Sequence, residues 1–326
     1  MNENDALIAL GATDLRITPL GIGALSWGDR LFWGFGRGYQ QADVQEAFDT
    51  SLEAGINFFD TAEVYGQGRS ERLIGEFIHR PQTESAHSPL NSLQPVIATK
   101  FMPYPWRLQQ SNLKKALQAS LKRLAVESVD LYQIHWPLPP LSVETWAEGL
   151  AGIVRDGLAR AVGVSNYSEL QMRRAFLTLQ KHGFPLASNQ VEYNLLNRKA
   201  ETNGLLKACQ EMNVTLIAYS PLAMGTLSGK YTPDNPPPGV RGRRYPRSLL
   251  VRLQPMIRRL QQMGQDHGGK TPAQVALNWV ICKGAVPIPG AKNARQAREN
   301  TSALGWRLTA DEVAALDEAS AQLNNE

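Results

Sequence analysis

Three short, β-rich runs in the first half of the chain each close on a titratable residue: Gly55-Ile56-Asn57-Phe58-Phe59-Asp60, Pro95-Val96-Ile97-Ala98-Thr99-Lys100 and Val129-Asp130-Leu131-Tyr132-Gln133-Ile134-His135. Tyr65 follows the first of them. A packed strand tolerates little charge, so its polar end is where chemistry is expected. Asp60, Tyr65, Lys100 and His135 together suffice for a proton-donating phenol tuned by an ammonium, which suits carbonyl reduction. Taken singly, each has an ordinary reading: a turn tyrosine with an exposed hydroxyl, a structural ion pair, a satisfied histidine. Only their joint placement at strand ends favours chemistry.

The elements that must hold these ends recur along the chain. Besides the three runs, short strands are predicted at 20–25, 160–164, 187–192, 214–219 and 285–288, and amphipathic helices at 44–54, 72–78, 113–124, 146–154, 170–179, 205–212 and 273–280. Alternating strands and helices, with crossovers too long for hairpins, imply parallel strands covered by helices. Eight such units predict a (β/α)8 TIM barrel formed by residues 1–326 as a single domain. Active sites of that architecture lie at the C-terminal strand ends, where Asp60, Lys100 and His135 fall. Two departures from the repeat are expected. A long loop over 221–246, with Pro236-Pro237-Pro238-Gly239, follows the seventh strand and precedes an extra helix at 249–264. A last helix follows Leu308-Thr309-Ala310-Asp311-Glu312. The polar, turn-rich segment 81–94 is assigned no function.

Composition narrows the function classes. The chain has 326 residues, 43% hydrophobic and 20% charged, enough for one large core. Its 34 Lys and Arg against 30 Asp and Glu make a net charge of +4, compatible with a phosphorylated ligand and too small to argue for nucleic acid. Cys209 and Cys282, the two cysteines, follow no pairing motif, which points to a reducing compartment. The start, Met1-Asn2-Glu3-Asn4-Asp5, lacks the basic opening of a secretory signal, and no apolar run reaches the ~20 residues of a spanning helix. A cytoplasmic protein without membrane partners is expected.

Read in order, Gly55 to Gly66, Thr99-Lys100, Gln133-Ile134-His135-Trp136-Pro137, Gly163-Val164-Ser165-Asn166 and Ile288-Pro289-Gly290-Ala291-Lys292-Asn293 resemble the aldo-keto reductases over nearly the whole chain. The stretch from Ala218-Tyr219-Ser220-Pro221-Leu222 through Gly229-Lys230-Tyr231-Thr232 most resembles the plant plastid and cyanobacterial branch that includes pyridoxal reductases. The resemblance implies a metal-free, NADPH-dependent reduction of aldehydes or ketones. Tyr65 would be the general acid. Lys100 would supply positive charge beside a phenol whose free pKa is about 10, and Asp60 would hold that Lys in a partly dry pocket. His135 would orient the carbonyl or take part in the proton relay.

The same resemblance places the NADP cofactor. Ser165, Asn166 and Gln190 would bind the nicotinamide carboxamide and fix the face offered, since hydride transfer needs short range and correct angle. Tyr219 would stack on the ring, with Ser220, Leu222 and Gly225 near the pyrophosphate. Lys230 and Arg241 would clamp the diphosphate and order the long loop. Gly290 and Ala291 precede a helix whose N-terminus can meet an anion, and Lys292 adds the charge expected at the adenosine 2′-phosphate, with Gln296, Glu299 and Asn300 around the adenine end. Many family members carry an Arg where this chain has Gln296, and a Lys-Ser pair at Gly290-Ala291.

No Gly-x-Gly-x-x-Gly opens a strand–helix unit, so a Rossmann site is not expected. Trp27, Trp33 and Phe35, in a glycine-rich loop, and Trp136 and Met102 are expected as an apolar wall for the carbonyl substrate. The alternative function is an NADPH-binding sensing or regulatory subunit with little turnover. A metal-dependent hydrolase or lyase has little support, because no His-x-His pair or carboxylate cluster accompanies His135.

Overall fold

Eight strands pair in parallel in chain order: β3 (Ile22–Gly23), β4 (Phe58–Asp60), β5 (Val96–Phe101), β6 (Val129–Ile134), β7 (Ala159–Ser165), β8 (Leu186–Glu192), β9 (Thr215–Tyr219) and β10 (Val286–Ile288). They belong to a computed structural model that describes residues 7–80 and 94–325. The first and last strands meet through Gly21 N donating to Pro287 O and Gly23 N to Pro289 O, each at 3.0 Å, and the sheet closes into a barrel. A Cβ on Gly23 would lie 2.9 Å from the Ile288 carbonyl oxygen, so this seam needs glycine.

Inward side chains fill the barrel. Phe58, Val96, Ala98, Leu131, Ala161, Ala187, Ile217, Val286 and Ile288 pack with Leu10, Leu15 and Ile17. The last three come from a small hairpin, β1 (Ile8–Ala9) and β2 (Arg16–Ile17). The hairpin is tied to strand starts: Asn57 Nδ2 donates to Arg16 O at 2.9 Å, and Gly11 N to Thr215 Oγ1 at 2.7 Å. It therefore covers the N-terminal floor and leaves the C-terminal mouth open.

A second, larger core joins the outer strand faces to the helices. These are α1 (Gln41–Glu53), α2 (Arg69–Ile78), α3 (Ser111–Leu124), α4 (Val143–Arg155), α5 (Glu169–Lys181), α6 (Lys199–Thr202), α7 (Leu205–Glu211), α8 (Val240–Arg244), α9 (Arg247–Asp266), α10 (Pro272–Cys282), α11 (Ala294–Thr301) and α12 (Ala310–Asn325). Their starts follow local chemistry. Ser168 and Gln171 form a reciprocal cap on α5, as do Thr271 and Gln274 on α10, where Pro272 takes the first helical position. Each such cap is worth about 1 kcal/mol. α5 buries Met172, Ala175, Thr178 and Leu179, the spacing of one helix face.

All eight predicted strands and the predicted helices are present, with ends displaced by a few residues. The expected loop 221–246 carries a 3-10 turn at Ala223–Ser228 and the short helix α8. Its Gly-, Pro- and Arg-rich composition has no helical periodicity long enough to reveal either. Of the segment 81–94, residues 81–93 lie outside the described residues, as does the N-terminal Met1-Asn2-Glu3-Asn4-Asp5. Among the described residues no helix is long and apolar enough to cross a membrane.

Candidate active site

The three strand-end residues and Tyr65 meet at the mouth. Lys100, fully buried on β5, directs Nζ to Asp60 Oδ2 at 2.5 Å, to Thr61 O at 2.9 Å and to the Tyr65 hydroxyl at 3.3 Å. All three ammonium directions are thereby committed. Asp60 Oδ1 takes Gln190 Nε2 at 2.8 Å and Gln133 Nε2 at 3.3 Å. The ion pair is thus buried with hydrogen bonds on both carboxylate oxygens, the condition under which a buried pair is tolerated.

Tyr65 opens a tight 3-10 turn, Tyr65–Gly68, its N–H bonded to Ala62 O at 3.0 Å. Gly66 has φ 55°, and a Cβ there would stand 2.7 Å from Gly28 O, so glycine lets the turn press against the Gly28 backbone. Burial raises the Tyr65 pKa; Lys100 draws it down and Asp60 raises it, and the net direction is upward. The phenol is therefore protonated at neutral pH. Burial also works against the charge on Lys100, but Asp60 and Tyr65 outweigh it and the ammonium is held above its ordinary value.

His135 lies edge-on to Tyr65, ring centroids 5.7 Å apart. Its pKa is lowered to about 3, by burial first and then by Lys100, so the imidazole is neutral. Among the described residues its buried Nδ1 has no hydrogen-bond partner.

Beside this group lies a chain of amides and hydroxyls. Ser165 Oγ donates to Gln190 O at 2.8 Å, Asn166 Nδ2 to His135 O at 3.0 Å, and the Tyr219 hydroxyl to Asn166 Oδ1 at 3.0 Å. Among the described residues, four of the seven non-glycine residues with positive φ stand here: Asn166, Ser220, Ala223 and Met224. Backbone held in this sparsely populated region is a recurrent mark of ligand-contacting loops. Ser220 O accepts from Asn194 Nδ2 at 3.0 Å, while Leu222 O receives Gly225 N at 2.9 Å and so bends the loop. Lys230 folds over Gly225, where a Cβ would be 2.8 Å from Nζ. Arg241 Nη1 donates to the Tyr231 hydroxyl at 3.0 Å.

The last strand leads to the third part. Lys292 Nζ donates to Trp33 O at 2.9 Å, and burial, then Arg241 and Lys230, lower its pKa to about 8. Gln296 and Asn300 shape the backbone here: Lys292 N donates to Gln296 Oε1 at 2.9 Å, and Asn300 Nδ2 to Gly290 O at 3.3 Å. Glu299 is engaged with Thr271, whose Oγ1 lies 3.4 Å from Glu299 Oε1.

These residues suit a nicotinamide dinucleotide phosphate. Arg241 and Lys230 repel the Lys292 ammonium and Asp29 attracts it more weakly, and among the described residues none of the three cations makes a salt bridge to a carboxylate. Among the described residues the hydroxyls of Ser26 and Thr226 are buried without partners, Ser26 Oγ 4.0 Å from where a Cβ on Gly290 would stand and Thr226 next to Gly225 in sequence. Cations lacking anions, and hydroxyls lacking acceptors, are the complement of phosphate oxygens.

One expected substrate residue is corrected. Trp27 is 0% exposed, packed against Phe48, Phe59 and Phe77, with Nε1 donating to Ala291 O at 2.7 Å. It is a core residue that fastens its loop to residue 291. Two residues earlier, Leu25 is 40% exposed. Trp136, next to His135, is also 40% exposed. Sequence reasoning also missed Glu63, whose carboxylate receives Arg107 Nη1 at 2.5 Å, Arg107 Nη2 at 3.0 Å and Met102 N at 2.7 Å, tying the loop after β5 to the Tyr65 segment. Its position two residues before Tyr65 was the available signal.

Fold and mouth together define a (β/α)8-barrel protein with a polar constellation at its C-terminal strand ends, and comparison with known proteins agrees. Residues 19–321 match the Aldo/keto reductase family. Chloroplastic pyridoxal reductase of Arabidopsis thaliana is 41% identical over 313 residues, spanning 94% of this chain and 84% of that protein. The aldo-keto reductase yakc [NADP(+)] of Schizosaccharomyces pombe is 30% identical over 291 residues, 84% of this chain and 82% of that protein. The solved structure of glycerol dehydrogenase from Gluconobacter oxydans superposes with a TM-score of 0.80 at 26% identity, covering 99% of this chain and 97% of that one. The chain belongs to the aldo/keto reductase family and is by that membership an oxidoreductase.

Proposed function

We propose that this protein reduces aldehydes or ketones to alcohols with NADPH, in the cytoplasm, through a single barrel domain spanning residues 1–326, with Tyr65 as proton donor. The observation that carries the reading is the Tyr65 hydroxyl, 3.3 Å from the ammonium of the buried Lys100–Asp60 pair. The nucleotide, when bound, supplies the hydride that reaches the carbonyl carbon. Tyr65 gives its proton to the substrate oxygen, and Lys100 stabilises the phenolate left behind. Asp60 keeps Lys100 charged and aimed. His135, neutral, offers a hydrogen bond rather than a charge to the carbonyl and so orients it.

Ser165, Asn166 and Gln190 hold the carboxamide, Tyr219 supports the ring, and Ser220, Leu222 and Gly225 form the bed for the diphosphate under Lys230 and Arg241. Lys292 meets the 2′-phosphate, with Gly290, Gln296, Glu299 and Asn300 setting the adenine end. Leu25, Met102 and Trp136 line the substrate side. Two free cysteines, Cys209 and Cys282, fit a reducing compartment. Pyridoxal heads the substrate candidates because the plant relative of that name shares 41% identity across most of both chains.

The test is NADPH oxidation followed by absorbance with pyridoxal, 4-nitrobenzaldehyde and methylglyoxal, NADH in parallel, and nucleotide binding by fluorescence. Turnover that depends on carbonyl and prefers NADPH is expected. Tight nucleotide binding with no turnover on any carbonyl would favour a sensing subunit instead.

A further inference from the structure

The ammonium of Lys292 is held by residues from the opposite end of the chain. Its Nζ lies 4.2 Å from the Tyr39 ring centroid and 5.0 Å from that of Trp33, and donates to Trp33 O at 2.9 Å. The Arg241 guanidinium stands 5.5 Å from the same Trp33 ring. The loop bearing the two aromatics is itself braced. Asp29 Oδ1 accepts from Phe32 N at 2.8 Å and Trp33 N at 3.2 Å, and the Tyr39 hydroxyl donates to Ser26 O at 2.5 Å. Trp27 bolts the loop to Ala291 at 2.7 Å, one residue from Lys292.

A flexible lysine between Arg241 and Lys230 would otherwise swing toward water, since each of them repels it more than Asp29 attracts it and holding a long side chain costs rotamer entropy. Two electron-rich ring faces and a carbonyl oxygen offset that repulsion. Only one of the three ammonium N–H groups is used by Trp33 O, which leaves two for an anion. Gln296 contributes no charge and is occupied by the Lys292 backbone N–H. Discrimination at this point therefore falls on a single caged ammonium.

We propose that Trp33 and Tyr39 are positioning residues that aim Lys292 at the cofactor's 2′-phosphate and so set the preference for NADPH over NADH. The inference rests on the cofactor reading above. It differs from the wall role expected of Trp33: the indole acts on the nucleotide's anionic end through Lys292, not on the carbonyl substrate.

The experiment titrates the wild-type protein and its Trp33→Ala, Trp33→Phe and Tyr39→Leu variants with adenosine 2′,5′-bisphosphate and adenosine 5′-monophosphate by calorimetry, with NADPH and NADH fluorescence titrations in parallel. Circular dichroism melting checks that each variant is folded. Trp33→Ala is expected to weaken the bisphosphate and NADPH about tenfold while the monophosphate and NADH change little, and Trp33→Phe to restore most of the loss. Tyr39→Leu should move the same ratio in the same direction. Equal weakening of all four ligands, or an unchanged ratio in folded Trp33→Ala, would overturn the positioning role. A wild-type protein that binds none of the four would overturn both this inference and the cofactor reading; one that binds NADPH preferentially, with a Trp33-independent ratio, would overturn this inference alone.

Discussion

Gln190 reaches across the barrel to Asp60, its Nε2 donating to Oδ1 at 2.8 Å, although 130 residues separate the two in sequence. The residue expected at the nicotinamide carboxamide therefore also fixes the carboxylate that holds Lys100. The proposed cofactor site and proposed proton donor share one buried network, in which each hydrogen bond bears on its neighbours.

Breaking that network at its ion pair is expected to cost stability. Lys100→Met leaves Asp60 buried without its counter-charge, at about 3–5 kcal/mol. Adding Asp60→Leu removes the orphan charge and should recover much of the loss. Urea denaturation of the two variants measures this; equal stability of Lys100→Met and the wild type would show that the pair has no such role.

His135 sets an expectation for pH. Its pKa of about 3 lies below the ordinary 6.5, so as pH falls the unfolded chain takes up the proton first. Its contribution to stability is complete above pH ~6.5 and is lost at no more than about 1.4 kcal/mol per pH unit down to the folded value. Over the same range the imidazole stays neutral and Tyr65, with its raised pKa, stays protonated. The rate of carbonyl reduction at saturating NADPH should therefore show no break near 6.5. A profile bending there would mean that His135 titrates in the working range.

Lys292 gives the opposite kind of dependence. With a pKa of about 8 it loses its charge as pH rises through that value. NADPH affinity is expected to fall between about pH 7 and 9 while NADH affinity holds, and Lys292→Ala should show weak NADPH binding and no such slope; a charge-assisted phosphate contact of about 1.5–3 kcal/mol corresponds to roughly 10- to 100-fold. Parallel pH curves for both nucleotides would remove Lys292 from the 2′-phosphate.

The loop 221–246 offers a third readout. Arg244 Nη2 donates to Glu192 Oε1 at 2.5 Å in an exposed bond and Arg241 to the Tyr231 hydroxyl at 3.0 Å in a part-buried one, while Lys230 is an exposed residue. Saturating NADPH should slow tryptic cleavage within this loop by engaging Lys230 and Arg241. An unchanged digestion pattern would separate the loop from cofactor binding.

How far sequence reading reaches is visible in single residues. Asp60, Lys100 and His135 were legible because a titratable residue ending an apolar run has a physical meaning in a barrel, and their meeting follows from strand order. Trp27 misled because an aromatic in a glycine-rich loop resembles a rim residue, whereas its indole turns inward against Phe48 and Phe59 and leaves Leu25 exposed. The contact of Lys292 with Trp33 spans 259 residues and leaves no periodic trace. The hairpin β1–β2 was likewise hidden, since two-residue strands carry no alternation to read.

The central claim is that Tyr65 donates the proton in NADPH-dependent carbonyl reduction, and single-turnover NADPH oxidation by Tyr65→Phe tests it most directly. The variant keeps the aromatic ring beside Lys100 and His135 and loses only the hydroxyl. NADPH dissociation constants close to wild type are expected, with the hydride-transfer rate on pyridoxal or 4-nitrobenzaldehyde reduced about 10²- to 10⁴-fold. A Tyr65→Phe protein that binds NADPH and reduces the carbonyl at the wild-type rate would contradict the account.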